Sequence, residues 1–270
     1  MNRLFIHSAA VLCLLFGIIS SASATTPEDA NTGQPSPKLV VLKFDDVVAG
    51  RDGHVVSERW QRVADFLEGK KIKASMGVIG WSLIDYNSAY FKWITDRATP
   101  CGYIEFWNHG YQNRRPEDVN GEFERSYEEQ LYYFRMTDSL AYARLGIQFA
   151  VWGPHYSSDN EFTDLAIAQL PQIRMTFTYP RKAVHYKGFV LKNRLNFEFP
   201  TSNPDFEAFM KEYLVKSKDW EYFFMQGHPN NWDETRWQNF VKVIEFLEKE
   251  GVRFVTPTEL YVILKTRGEI

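Results

Sequence analysis

The stretch KLVVLKFDD, residues 38–46, sets an apolar run against two adjacent aspartates. KLVVLKF reads as a strand, rich in β-branched and aromatic side chains, and Asp45 and Asp46 close it. Neighbouring carboxylates repel each other. A fold that keeps such a pair at a strand end uses it for a proton, a metal or both, or else as a turn or helix cap.

Outward from this strand, strand-like and helix-like stretches alternate. SERWQRVADFLEGK carries helical spacing at Trp60, Val63, Ala64 and Leu67. IKASMGVIG, YIEFW, IQFAV, IRMTFTY, EYFFMQ and VRFV read as further strands. SYEEQLYYFRMTDSLAYARLG reads as a long helix with a Ser126/Glu129 capping box and Gly146 at its end. TPTELYVILKTR is a capped last helix with Pro257 at its first position. The segment from Arg181 to Thr201 is less regular and is expected to hold a hairpin. About seven βα units in one α/β domain imply a parallel sheet, closed into a barrel or left open and doubly wound.

The amino terminus has a different character. Residues 1–24 carry one charge, Arg3, then an apolar run and the Ala22-Ser23-Ala24 cleavage pattern of a signal peptide. Residues 25–37, rich in Pro, Thr and Ser, read as a flexible leader, leaving 38–270 as the catalytic domain. The expected product is periplasmic or secreted, with no stable membrane span after cleavage. Cys13 leaves with the signal, so Cys101 has no intramolecular disulfide partner. With 31 basic against 34 acidic residues and no basic stripe, nucleic acid is not an expected partner.

In either parallel architecture the active site lies beyond the carboxyl ends of the strands. The residues just past each strand are therefore informative. Asp45-Asp46 close the first, His109 and Asn113 come after YIEFW, WGPHY with His155 comes after IQFAV, and His228 comes after EYFFMQ. A carboxylate with imidazoles can hold a divalent metal and leave a position open for water. A second carboxylate would take the water's proton, and a histidine opposite would protonate a leaving amine. Taken singly, each histidine reads equally as a core or loop residue.

Together the motifs KFDD, NHGYQN and MQGHP resemble, in order and spacing, those of the polysaccharide deacetylases, the NodB-homology domain of carbohydrate esterase family 4. The resemblance spans about residues 38–256. It implies a distorted (β/α) barrel that removes acetyl groups from polymers such as chitin, peptidoglycan or poly-N-acetylglucosamine. By position it implies Asp45 as catalytic base and His228 as general acid. It also implies Asp46 and His109 as ligands of a divalent metal, zinc in the first instance.

Three positions depart from that pattern. Asn113 stands where the family has a second histidine, and an amide oxygen is a poorer zinc ligand than imidazole. Trp152 and Gly153 stand where the family has an arginine that orients the catalytic aspartate. Gln226 replaces an apolar residue two before the last histidine. His155 is either a replacement ligand, a substrate contact or a loop residue. Among the nearby aromatics, Tyr111, Trp152 and Trp232 are expected to offer ring faces to a sugar, core packing being the alternative. Two functions are compatible with these residues: a metal-dependent deacetylase of an amino-sugar polymer or oligosaccharide, or a non-catalytic carbohydrate-binding relative without its zinc.

Overall fold

The structure is a computed structural model and describes residues 36–51, 54–112 and 121–270. The expected signal peptide and residues 25–35 of the expected leader lie outside the described residues. Pro37–Ile270 form one compact unit.

Eight strands form one sheet, and every pairing between them is parallel. They are β1 (Leu39–Val47), β2 (Ala74–Val78), β3 (Ile104–Asn108), β4 (Val151–Trp152), β5 (Met175–Phe177), β6 (Phe189–Leu191), β7 (Tyr222–Gly227) and β8 (Arg253–Phe254). The order is β6-β5-β4-β3-β2-β1-β7, with the two-residue β8 paired to β1. The sheet curls into a distorted, partly open (β/α) barrel. Among the described residues six α-helices lie between strands, α1 (Glu58–Gly69), α2 (Ser88–Arg97), α3 (Tyr127–Leu145), α4 (Glu161–Ile167), α5 (Phe206–Lys216) and α6 (Glu234–Lys249), and α7 (Pro257–Thr266) follows β8.

Local chemistry accounts for these elements. In α1 the buried residues are Trp60, Val63, Ala64 and Leu67, the set its spacing marks out. Ser126 accepts from Glu129 N at the start of α3, and Gly146 ends it in the left-handed region at φ 67°. Thr256 and Glu259 cap each other reciprocally at α7, with Pro257 at its first turn.

The Arg181–Thr201 segment turns back on itself at its end, where Glu198 pairs antiparallel with Pro204 and Phe199 N donates to Asn203 O at 2.8 Å. It supplies β6, which runs parallel to β5. The chain then crosses to the free edge of β7, where Leu195 N donates to Phe224 O and Phe224 N to Asn193 O, both at 2.9 Å. That crossing satisfies backbone groups which an open edge would leave bare, and it fixes Arg194 and Glu198 near the mouth of the barrel.

Alternation along β1 sorts its side chains. Val40, Leu42 and Phe44 pack in the larger core that also holds Trp60 and Phe240. Leu39 and Val41 join Trp107, Phe177 and Phe224 in a second core inside the barrel. Side chains two apart share a face, so Lys43 and Asp45 point inward above Val41.

Candidate active site

Because the strands are parallel, their carboxyl ends open on one side. There a cavity of about 490 Å³ is lined by Asp45, Asp46, His109, His155, Gln226 and His228, with polar loop residues around them. The residues singled out after β1, β3, β4 and β7 therefore meet in one place.

In a regular strand Asp45 and Asp46 would face opposite ways. Asp46 instead takes φ 73°, and the pairing of β1 with β2 shifts register between Phe44 and Val47. A non-glycine residue in the left-handed region costs about 1–3 kcal/mol and persists where the surroundings impose it. The result is that both carboxylates reach the cavity.

Asp45 is 2% exposed and is held by Lys43, whose Nζ lies 2.5 and 2.6 Å from its two oxygens. Lys43 is equally buried, with its ammonium 4.9 Å from the Trp107 ring centre and 5.4 Å from that of Phe177. Burial pushes the ammonium below its ordinary range, against the pull of Asp45. A Cβ on Gly153 would come within 3.2 Å of Lys43 Cε. The residue standing where an orienting arginine was expected is thus a glycine that leaves room for a lysine from β1. Period two in KFDD puts Lys43 on the face of Asp45, a signal present in the sequence itself.

His109 is 1% exposed, with Nδ1 2.7 Å from the Gly153 carbonyl. A carbonyl can only accept, so Nδ1 carries a proton; Nε2 is then the nitrogen that donates to a carboxylate or, once deprotonated, offers its lone pair to a metal. That Nε2 lies 3.3 Å from Asp46 Oδ1 and 3.7 Å from Asp45 Oδ2. Two donors on one zinc, each at about 2.0–2.1 Å in tetrahedral array, stand close to the spacing found between His109 and Asp46. Burial raises the Asp46 carboxyl, but the hydrogen bond and charge of His109, with His228 and His155 beyond, outweigh it and hold the group down at about 2. This pair fits a divalent metal. Among the described residues no group of three His, Cys, Asp or Glu completes a ligand set. Asn113, the expected third ligand, lies outside the described residues.

His228 Nδ1 donates to Glu198 Oε2 at 2.7 Å, and its backbone N donates to Glu198 Oε1 at 2.8 Å. The other ring nitrogen, Nε2, lies 3.8 Å from Asp45 Oδ2. Burial lowers the imidazole's proton affinity, but the Glu198 hydrogen bond and the Asp45 charge outweigh it, so His228 sits above its ordinary value. Gln226 places its amide 3.4 Å from His228 Nε2, a polar neighbour where the family has an apolar one. Glu198 was not found from the sequence. It lies 30 residues from His228 in an irregular segment with no periodicity to mark it.

His155 is 4% exposed and lines the cavity. Its Nε2 lies 3.5 Å from Glu122 Oε1, yet neither ring nitrogen makes a hydrogen bond. Of the aromatics expected to face a sugar, two do not. Trp152 is fully buried against Phe123 and Phe134, and Trp232 is 3% exposed with Nε1 donating to Glu198. Large aromatics at strand ends pack into the core here because that is where their area is best removed from water. Tyr111 is half-buried and stacks on Tyr133 at 5.0 Å. Tyr156, 52% exposed, is the aromatic that lines the cavity.

No protein-family model matches the chain, and no curated protein matches it either. Solved structures do. The Xyl-CE4 domain of a multidomain xylanase from the hindgut metagenome of Trinervitermes trinervoides matches with TM-score 0.57 at 20% identity, over 86% of this chain and 92% of that one. A family 4 acetyl xylan esterase from Clostridium thermocellum, in complex with a cobalt ion, matches with TM-score 0.55 at 18% identity, over 84% and 91%. A CE4 family pseudoenzyme from Bacillus anthracis matches with TM-score 0.57 at 17% identity, over 84% and 66%. The chain therefore has the fold of the carbohydrate esterase family 4 deacetylases, in a divergent form.

Proposed function

We propose that this chain is an exported, divalent-metal-dependent member of carbohydrate esterase family 4, removing acetyl groups from an N-acetylated amino-sugar polymer or oligosaccharide. The observation that carries this reading is the division of one cavity. Asp45 and Asp46 both reach it, Asp46 against His109 and Asp45 within 3.8 Å of His228. The esterase from Clostridium thermocellum, of the same fold, is in complex with a cobalt ion.

Asp46 and His109 would hold the metal, with Asn113 four residues after His109 in sequence and His155 also lining the cavity. A bound zinc supplies Lewis acidity, polarising the acetyl carbonyl and easing deprotonation of water. Asp45 takes the water's proton, its carboxylate oriented by Lys43. As the carbon–nitrogen bond breaks, His228 gives its proton to the departing amine, and Glu198 holds the imidazole in the tautomer that does so. Acetate and a free amino sugar are the products. Tyr156 gives a ring face for a neighbouring sugar.

The test is acetate release from N-acetylated chito-oligosaccharides and peptidoglycan fragments, before and after chelation, with Asp45→Asn beside it. Release that requires metal and Asp45 supports the proposal. Folded, zinc-treated protein that frees no acetate from any of these sinks it.

Asn113 in a ligand position, and a pseudoenzyme of the same fold, favour one other reading: a carbohydrate-binding relative without catalysis. It would bind glycan equally well with or without chelator, and Asp45→Asn would change nothing.

A further inference from the structure

Among the described residues lining the catalytic cavity there is no leucine, isoleucine, valine, methionine or phenylalanine side chain. An acetyl methyl gains most from apolar walls, and pockets for neutral ligands are usually lined by them. Here the walls carry carboxylates, imidazoles, hydroxyls and amides, together with one guanidinium, Arg194.

Arg194 has no evident structural employment. Its backbone is pinned by the bridge to Phe224, which brings its side chain to the cavity. Its Nε is buried without a hydrogen-bond partner, and no carboxylate of the described residues pairs with it. Asp45, which lines the same cavity, takes two hydrogen bonds from Lys43. Asp46 is engaged by His109. The charge of Arg194 also acts on Lys43, which is buried against Asp45. A partly buried guanidinium to which no described carboxylate is paired is a poor device for stability and a good one for binding an anion.

We propose that Arg194 is an anion-recognition residue of this cavity, and that the substrate carries a carboxylate beside the scissile group. The carboxylate belongs either to the acyl group removed, as in a succinyl amide, or to the sugar, as in a uronic acid. This rests on the cavity being the substrate site, and binding can be measured whether or not acetate is released.

The experiment is isothermal titration with three probes: N-acetylglucosamine, N-succinylglucosamine and N-acetylglucosaminuronate. Each is measured in zinc-loaded and chelator-treated protein, the latter to remove carboxylate–metal contacts. At least one anionic probe should bind roughly tenfold tighter than the neutral one, the difference one charge-assisted hydrogen bond gives. The preference should fall with added salt, and Arg194→Met should abolish it, so that the anionic and neutral probes bind alike. Preference for the succinyl probe places the carboxylate on the acyl group; preference for the uronate places it on the sugar. If Arg194→Met does not fold, Arg194→Lys and the wild-type salt dependence decide. Equal binding of all probes, binding of none, or a preference that survives in folded Arg194→Met overturns the proposal. Acetate release is assayed separately, so its failure would count against the deacetylase reading and not against this one.

Discussion

Replacing Lys43 with methionine removes a cation while nearly preserving its volume. Asp45 is 2% exposed, and among the described residues its hydrogen bonds both come from Lys43 Nζ, at 2.5 and 2.6 Å. The imidazole nitrogens nearby, His109 Nε2 and His228 Nε2, lie 3.7 and 3.8 Å from Oδ2, too far to replace those bonds. Charge-assisted hydrogen bonds contribute about 1.5–3 kcal/mol each, and breaking a buried ion pair by removing one partner costs about 3–5 kcal/mol. Lys43→Met is therefore expected to lose about 3–5 kcal/mol at pH 8, measured by urea denaturation of chelator-treated protein. The loss should shrink in acid, where a proton can neutralise the stranded carboxylate. Lys43→Met with Asp45→Asn removes both charges and should regain most of the stability. Acetate release should fall by roughly 10²–10⁴-fold in the single variant, the range a general base contributes. A loss under about 1 kcal/mol, the size expected of an exposed pair, or a double variant no more stable than the single one, would refute the account of Lys43.

Glu198→Gln removes the charge that outweighs burial at His228. The alkaline limb of the pH–rate profile should then move to lower pH, and an NMR titration of His228 should move with it. The folded-state value of His228 lies above its unfolded one. Its contribution to stability is therefore complete below the ordinary histidine value, about 6.5, and is lost as pH rises through the folded value. Asn113→His should tighten zinc by at least the ~10–100-fold that altered metal surroundings typically change it, read by competition with a chelating dye. Tyr156→Ala should raise KM for a polymer and leave Tm nearly unchanged. Trp152→Ala, in the core, should instead cost about 3–5 kcal/mol of stability.

Much of this was legible in the sequence because it is one-dimensional. Helical spacing at Trp60, Val63, Ala64 and Leu67 is a local pattern, and α1 buries those four. In a parallel sheet, position after a strand is enough to place Asp45, His109, His155 and His228 on one side, without knowledge of the packing. What was missed depends on the third dimension. The link between Glu198 and His228 spans 30 residues, and nothing near Glu198 announces it. Lys43 was readable by period two, but a lysine in a strand ordinarily belongs on an edge or at the surface. Trp152 and Trp232 show that lying at a strand end does not determine whether an indole faces the cavity or the core. The expected hairpin is confined to the end of the 181–201 segment, at Glu198 and Pro204, because the rest completes the sheet, a demand set by the free edges of β5 and β7.

The division of labour between the two aspartates is tested most directly by a crystal soaked in zinc, with data collected at the zinc absorption edge. One anomalous peak should lie within about 2.2 Å of both His109 Nε2 and Asp46 Oδ1, with Asp45 unligated and still bound to Lys43. Zinc ligated by Asp45, or an empty site in protein that still releases acetate, would contradict it.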